Sequence, residues 1–282
     1  MLNRADVIYS YDGTYDGFLC CVFESFLKKE MPHAIITADT PQLSLMATRT
    51  IVTEPDKAAR VQASLPRRMG IQATEQVNLC YLTCLEDKEM TMLDFIHQGF
   101  EHGPEVLSRL TDDTVHTIRH AVGSLTGESH LLKGFIRFAD YEGMLVSVIH
   151  PKNLVLPLLR EHFCGRFCNE NFVIYDENHG MGLVYRPYEW RIVPIDDLTL
   201  REPDENEKRY QALWRKYYDT IAIKARYNPV CRRNHMPKRY WDYMTEFGST
   251  AVQHRIRRDL PNIEGKSPAS EQIGSSNRSP SP

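Results

Sequence analysis

The sequence predicts an α+β protein: an antiparallel sheet of about five strands with helices packed on it, a helical N-terminal region and a basic helical C-terminal region. Three observations carry this reading. Between residues 134 and 195, short apolar runs alternate with polar turns too brief for parallel crossovers. Between Ala73 and Leu132, apolar residues recur at helical spacing instead. After Asp197, cations and aromatic rings share that helical period.

The elements follow in order. Val7-Ile8-Tyr9-Ser10-Tyr11 has strand-forming residues, and Asp12-Gly13 is a tight-turn dipeptide. Thr14 caps a helix from Tyr15, with Asp16 at the positive end of its dipole and Phe18, Cys21, Val22, Phe26 and Leu27 on one face. Strand regions follow at 34–37 and 43–52. Thr53-Glu54-Pro55-Asp56 resembles a capping box and opens a helix through Ala58, Val61 and Leu65, with Gly70 as its stop. Helical stripes then run through Val77 and Cys80, through Leu93 and Ile96, and through Val115, Ile118, Val122 and Leu125, with Gly103-Pro104 and Gly123 as breaks. Strands are expected at 135–138 and 145–149, joined by the hairpin signal Asp140-Tyr141-Glu142-Gly143, and again at 171–175, 181–185 and 189–195. A helix through Leu154, Leu158, Leu159 and Phe163 interrupts them. Tyr210, Leu213, Trp214, Tyr217 and Ile221 form a last long stripe, and Asn234-His235-Met236-Pro237 leads into a helix ended by Gly248. These elements divide the chain into 1–133, 134–260 and a Ser/Pro/Gly-rich tail, 261–282, expected to be disordered.

Composition narrows the class. The chain has 282 residues, 42% of them hydrophobic and 25% charged, as ordinary globular proteins do. Seven cysteines, an odd number in a chain this long, point to a reducing cytoplasm. The N-terminus lacks the basic-then-apolar layout of a signal peptide. No apolar run approaches the ~20 residues of a membrane span, so a cytoplasmic protein without a membrane partner is expected.

Charge is unevenly placed. Residues 208–258 carry 13 Lys/Arg against three acids, a local net of +10, which leaves −13 for the remainder of a chain whose total is −3. A basic segment on an acidic body is the electrostatic footprint of a polyanion binder. Rings interleave with the bases, and the densest stretch is 231–241. There Arg232, Arg233, Lys238 and Arg239 are the candidate phosphate contacts, and Tyr240 or Trp241 the candidate stacking platforms. The competing reading makes most rings of the 210–221 stripe core, because their spacing is that of a buried face.

Other chemistry is weakly signalled. Cys164 and Cys168, with His162 beside them, and Cys80 and Cys84 have C-x3-C spacing, without the second pair a zinc site needs. His116 and His120 lie one helical turn apart without a third ligand. The sequence therefore specifies no metal and no cofactor. No nucleophile elbow, P-loop or dinucleotide fingerprint occurs. Arg137, His162 and Arg166 are the polar residues in or beside apolar segments, and hence the catalytic candidates of an enzyme reading, with Asp12 of the glycine turn as the outside candidate.

The strings Tyr11-Asp12-Gly13-Thr14-Tyr15-Asp16-Gly17-Phe18, Gly134-Phe135-Ile136-Arg137-Phe138, His162-Phe163 with Arg166-Phe167, and Met236-Pro237-Lys238-Arg239-Tyr240-Trp241 carry a family likeness. Through them the chain resembles a bacterial family of DNA repair or DNA metabolism proteins. Members are typically paired with a radical-SAM protein of DNA modification or repair, and related domains occur fused to uracil-DNA-glycosylase-like domains. The resemblance implies a DNA-linked role and a radical-SAM partner, and supplies no catalytic residue. Where relatives carry a tryptophan-containing strand and a Thr-Pro-Asp turn, this chain has Asn171-Phe172-Val173-Ile174-Tyr175-Asp176-Glu177.

The leading expectation is thus an accessory protein that binds nucleic acid, DNA in the first place, beside a radical-SAM partner. The alternatives are an enzyme acting on a nucleic-acid base or sugar, and an adaptor that docks an acidic protein without touching nucleic acid.

Overall fold

The computed structural model describes residues 3–38, 46–196, 198, 200 and 202–247. The first residues of the 43–52 strand region, the Gly248 helix stop and the tail from 261 lie outside them. The fold is the expected α+β one, and its described strands form three sheets instead of one.

The N-terminal half is built round a parallel three-stranded sheet in the order β4-β2-β5. β1 (Asn3–Arg4) pairs separately with β3 (Glu30–Met31). β2 (Val7–Tyr11) runs between β4 (Ala34–Thr37) and β5 (Ala47–Thr50), so the chain leaves the central strand at the point where strand order reverses. α1 (Tyr15–Lys28) makes the crossover. Its cap is the predicted one: Thr14 Oγ1 accepts from the Gly17 amide at 3.0 Å. Asp12 holds that cap in turn, accepting from the Thr14 amide and hydroxyl at 2.9 and 2.7 Å. The expected capping box at Thr53 does not form. The Thr53 hydroxyl is drawn to Asp12 at 2.7 Å, and α2 (Pro55–Met69) starts without a side-chain cap.

α2 packs on α1, α3 (Ile71–Tyr81) lies against α2 and α4 (Lys88–His102), and α4 packs on β4. Gly99 lets α2 and α4 approach closely, since a Cβ there would lie 2.6 Å from Met69 Cε. α5 (Asp113–Phe135) is a single uninterrupted helix, capped by Asp112. Gly123 does not break it, because that residue faces open space and has nothing to turn against. Val115, Ile118 and Val122 belong to the first hydrophobic core, Leu125 and Leu132 to the second. One helix therefore serves both halves, and the core changes between residues 122 and 125, upstream of the predicted boundary at 133.

The C-terminal sheet has five strands in the order β10-β9-β8-β7-β6. They are β6 (Ala139–Tyr141), β7 (Met144–Ile149), β8 (Asn171–Asp176), β9 (Met181–Arg186) and β10 (Glu189–Pro194). Neighbours are antiparallel except at the centre, where β7 and β8 run parallel. The connection there carries α6 (Leu156–Arg166), long enough for a crossover. The β6–β7 hairpin turns on Glu142 and Gly143, both at positive φ. The strand expected at 135–138 is absent. α5 runs through Phe135, and Phe138 leaves the ladder to meet Phe163, Phe167 and Phe172 with ring centres 5.1–5.8 Å apart.

α7 (Glu205–Ile221), a 3-10 turn at Lys224–Arg226, α8 (Pro229–His235) and a 3-10 turn at Lys238–Tyr243 complete the described chain. The halves are tied through Glu128, a buried carboxylate on α5. It accepts from the backbone amides of Lys152 and Asn153, the Asn153 side chain, the Tyr240 hydroxyl and the Arg239 guanidinium. Asn153 passes the link on, accepting from the Cys84 amide at 3.0 Å. Removing one partner of a buried ion pair leaves the rest uncompensated. Glu128→Ala is expected to lower the unfolding free energy by about 3–5 kcal/mol, read as a lower urea midpoint with an unchanged denaturant slope.

Candidate nucleic-acid interface

The stripe on α7 does not go into the core. Tyr210 is 68% exposed, Tyr217 55% and Trp214 40%, and Leu213 and Ile221 are also open to solvent. Glu207 is the buried residue of this helix, accepting from the Asp140 amide at 3.2 Å. Tyr227, beyond the helix, is 70% exposed. The expectation that the rings of 210–221 are core is corrected accordingly: α7 has no second layer on that side among the described residues.

Cations interleave with these rings. Arg209, Lys216, Lys224, Arg226, Arg233 and Lys238 are exposed and have no acidic partner among the described residues. Lys208 is matched by Glu202 and Glu205. Arg232 is held differently, its guanidinium over Tyr227, Trp241 and Phe247 at 5.1–5.6 Å from their ring centres. Such a cage keeps the charge while covering its faces with rings. Trp241 stacks on Phe247 at 4.7 Å and donates its indole N–H to Met236 O at 3.0 Å.

Two of the six predicted contacts are occupied inside the protein. Arg239 pairs with Glu128 at 3.0 Å and donates to the Tyr240 hydroxyl at 2.5 Å. Tyr240 is 5% exposed and packs on Phe135 at 5.6 Å, so its ring has no free face for a base. Its hydroxyl pKa is pushed up to about 12, chiefly by burial. Arg233 and Lys238 remain as outward charges, with Lys238 6.0 Å above the Trp241 ring.

The four catalytic candidates do not converge. Arg137 is a structural clamp: its guanidinium holds Glu246 in a two-pronged pair, with contacts of 2.6 and 3.2 Å, and donates to Gly134 O at 2.8 Å. The Trp214 indole donates to the same Glu246 at 3.0 Å, which fastens α7 to this clamp. His162 and Arg166 lie one turn apart on α6. Burial, with Lys133 and Arg166 nearby, holds the imidazole pKa below its usual range. Asp12 is at the far end of the β2 strand, in the other half. Burial pushes its carboxyl up, but hydrogen bonds from Thr14 and Thr53 prevail and keep it below the usual carboxylate range. The cysteine pairs are free thiols, and no group of three or more His, Cys, Asp or Glu residues with metal-ligating geometry occurs among the described residues. His116 and His120 are exposed, with ring centres 6.4 Å apart.

Sequence reasoning missed a second polar group. A small cavity of about 20 Å3, room for about one water, lies beside Arg137, Arg239 and Tyr240, and His150 and Tyr243 also line it. His150 stacks on Tyr243 at 4.3 Å, and its Nε2 pairs with Glu177. The Tyr243 hydroxyl donates to Glu177 at 3.1 Å, so Nε2 carries the imidazole hydrogen, and the buried Nδ1 has no partner among the described residues. The sequence offered one signal here. Glu128 falls on the apolar stripe between Leu125 and Leu132, where a lone acid marks a buried partner.

Fold and site together define a two-core α+β protein with a cationic, ring-bearing C-terminal arm. The chain belongs to the DUF4130 family: the model of that domain of unknown function matches residues 86–246, more than half of the sequence. The match takes in Glu128, Arg137, His150, Arg239 and Glu246, and leaves Asp12 outside. No curated protein and no solved structure matches the chain.

The clamp predicts a pH dependence. Burial pushes the Glu246 carboxyl up, but hydrogen bonds from Arg137, the backbone and Trp214 outweigh it and hold the pKa below the ordinary 4.5. A carboxyl depressed in the folded state stabilises fully above its unfolded value and loses that contribution as pH falls through the folded one. The indole N–H resonance of Trp214 is expected to shift as pH drops below 4.5, and to lose that step in Glu246→Gln.

Proposed function

We propose that this chain is a nucleic-acid-binding accessory protein of DNA repair or DNA metabolism, acting beside a radical-SAM partner. The observation that carries the reading is the arm at 205–243, whose exposed rings alternate with cations that lack acidic partners. Solvent-facing Tyr and Trp are costly to leave bare and suit the faces of unpaired bases, while the neighbouring arginines and lysines suit phosphates. The remainder of the chain is acidic, which orients a polyanion to this side. The family likeness adds DNA as the polymer and the radical-SAM protein as the partner.

In this reading Arg209, Lys216, Arg233 and Lys238 neutralise phosphates, Tyr210, Tyr217 and Tyr227 stack, and Arg232 with Trp241 shapes the surface beneath them. Single-stranded binding is favoured over duplex, because stacking needs unpaired bases. Fluorescence anisotropy of labelled single strands is expected to show affinity falling with salt, with a log–log slope reduced by about 0.7 for each phosphate contact removed in Arg233→Ala and Lys238→Ala. Tyr217→Ala is expected to cost roughly 1–3 kcal/mol with the slope unchanged. Salt-insensitive or undetectable binding refutes the reading. Association with the radical-SAM partner that survives nuclease, in a chain that binds no DNA, would instead establish the adaptor.

A further inference from the structure

A second cleft lies in the N-terminal half, between α1, α2 and α4, with a volume of about 530 Å3, the size of a small-molecule site. Its walls are rings: Phe23 and Phe26 from α1, and Phe100 and His97 from α4. His97 stacks on Phe26 at 4.0 Å, and Phe100 flanks Phe26 at 4.8 Å. The rim is cationic. Arg60 and Arg68 are eight residues apart on α2, hence about 12 Å along one face, and bracket Ser64. Their guanidinium groups lie 5.2 Å over Phe23 and 5.8 Å over Phe100, without an acidic partner among the described residues. Lys57, the next cation on the helix, is already matched by Glu24 and Glu54. Glu101 is the acid among the lining residues.

The hydrogen bonds fix what the cleft can accept. The Ser25 hydroxyl has one hydrogen, donated to Glu30 O at 2.7 Å, so at its 2.8 Å contact with His97 Nε2 it must accept. That assigns the ring hydrogen to Nε2 and leaves Nδ1 a bare acceptor. Nδ1 has no hydrogen-bond partner among the described residues. Burial lowers the imidazole pKa to about 4, so the ring is neutral near pH 7. The Ser64 hydroxyl is likewise committed, donating to Val61 O at 2.7 Å. The site thus presents a ring slot, a neutral nitrogen acceptor and two unmatched guanidinium groups.

We propose that this cleft binds a nucleoside monophosphate, its base stacked among Phe23, Phe26 and Phe100, a base N–H donated to His97 Nδ1, and its phosphate held by Arg60 and Arg68. The site is independent of the C-terminal arm and is built largely from residues that precede the family match. Calorimetry on the full chain with uridine monophosphate as probe is expected to show saturable binding. N3-methyluridine monophosphate, which lacks the ring N–H, is expected to bind at least tenfold more weakly, as are uridine and inorganic phosphate alone. Arg60→Ala with Arg68→Ala, folded by circular dichroism, should lose binding of the monophosphate while keeping salt-dependent DNA binding. Equal affinity for the methylated and unmethylated nucleotides, phosphate binding as tight as the nucleotide, or an unaffected double variant would each overturn the assignment.

Discussion

The structure turns on one buried carboxylate. Removing a charge such as Glu128 from water costs several kcal/mol unless donors replace the hydration shell. The five donors that replace it come from two places: the loop after β7, including the Asn153 side chain, and the Lys238–Tyr243 turn. Because α5 carries Glu128 and also contributes to both cores, satisfying that charge fixes the C-terminal sheet against the helical half. The Leu154 amide, which donates to Leu82 O at 2.8 Å, and the Asn153–Cys84 bond extend the same junction to the α3–α4 connection. A hydrophobic seam alone would hold these parts together without specifying their register.

The second consequence concerns which cations remain outside. Arg239 and Arg137, near the two buried carboxylates Glu128 and Glu246, are consumed in holding the C-terminal segment on the body. Those pairs anchor the arm at its far end, and Arg215, donating to Thr245 O at 2.9 Å, adds a third tie from α7. Once the arm is anchored this way, Lys216, Lys224, Arg226, Arg233 and Lys238 have no acidic partner among the described residues. A basic segment is therefore not uniformly a binding surface. Its innermost arginines act as structural fasteners, and its outer ones stay hydrated.

Much of the fold was legible in the sequence for local reasons. The Asp12-Gly13-Thr14 turn and cap and the Glu142-Gly143 hairpin depend on residues adjacent in sequence, and the structure has both. Failures occurred where a distant partner decided. Phe135 to Phe138 has strand propensity, yet a ring cluster from α6 and β8 draws Phe138 away, and the Arg137 clamp fixes the chain beside it. The β7–β8 pair looked antiparallel because the crossover role of α6 depends on where its ends dock. In the candidate site, Arg233 and Lys238 stand where charge patterning put them, but Tyr240 could not be told from Trp241 without knowing that Glu128 waits beneath it. Glu177 and His150, far apart in sequence, meet only because β7 and β8 run parallel and end together.

The exposed stripe of α7 is where periodicity and burial part company. A period of 3.6 states that one side of a helix is apolar; it does not state what covers that side. Here, among the described residues, the body takes Glu207, Trp214, Tyr218 and the Arg215 guanidinium, and leaves Tyr210, Leu213, Tyr217 and Ile221 in water. Retaining that surface costs hydrophobic free energy in the isolated chain, a cost offset when a ligand removes the rings from water. A purely apolar partner would strand Arg209 and Lys216 at its border, with desolvation and no counter-charge. A single strand of nucleic acid offers π-faces and phosphates at alternating positions along one line, which matches the alternation of rings and cations along this arm. That correspondence, and not net charge, favours a nucleic acid over an acidic protein as the polyanion.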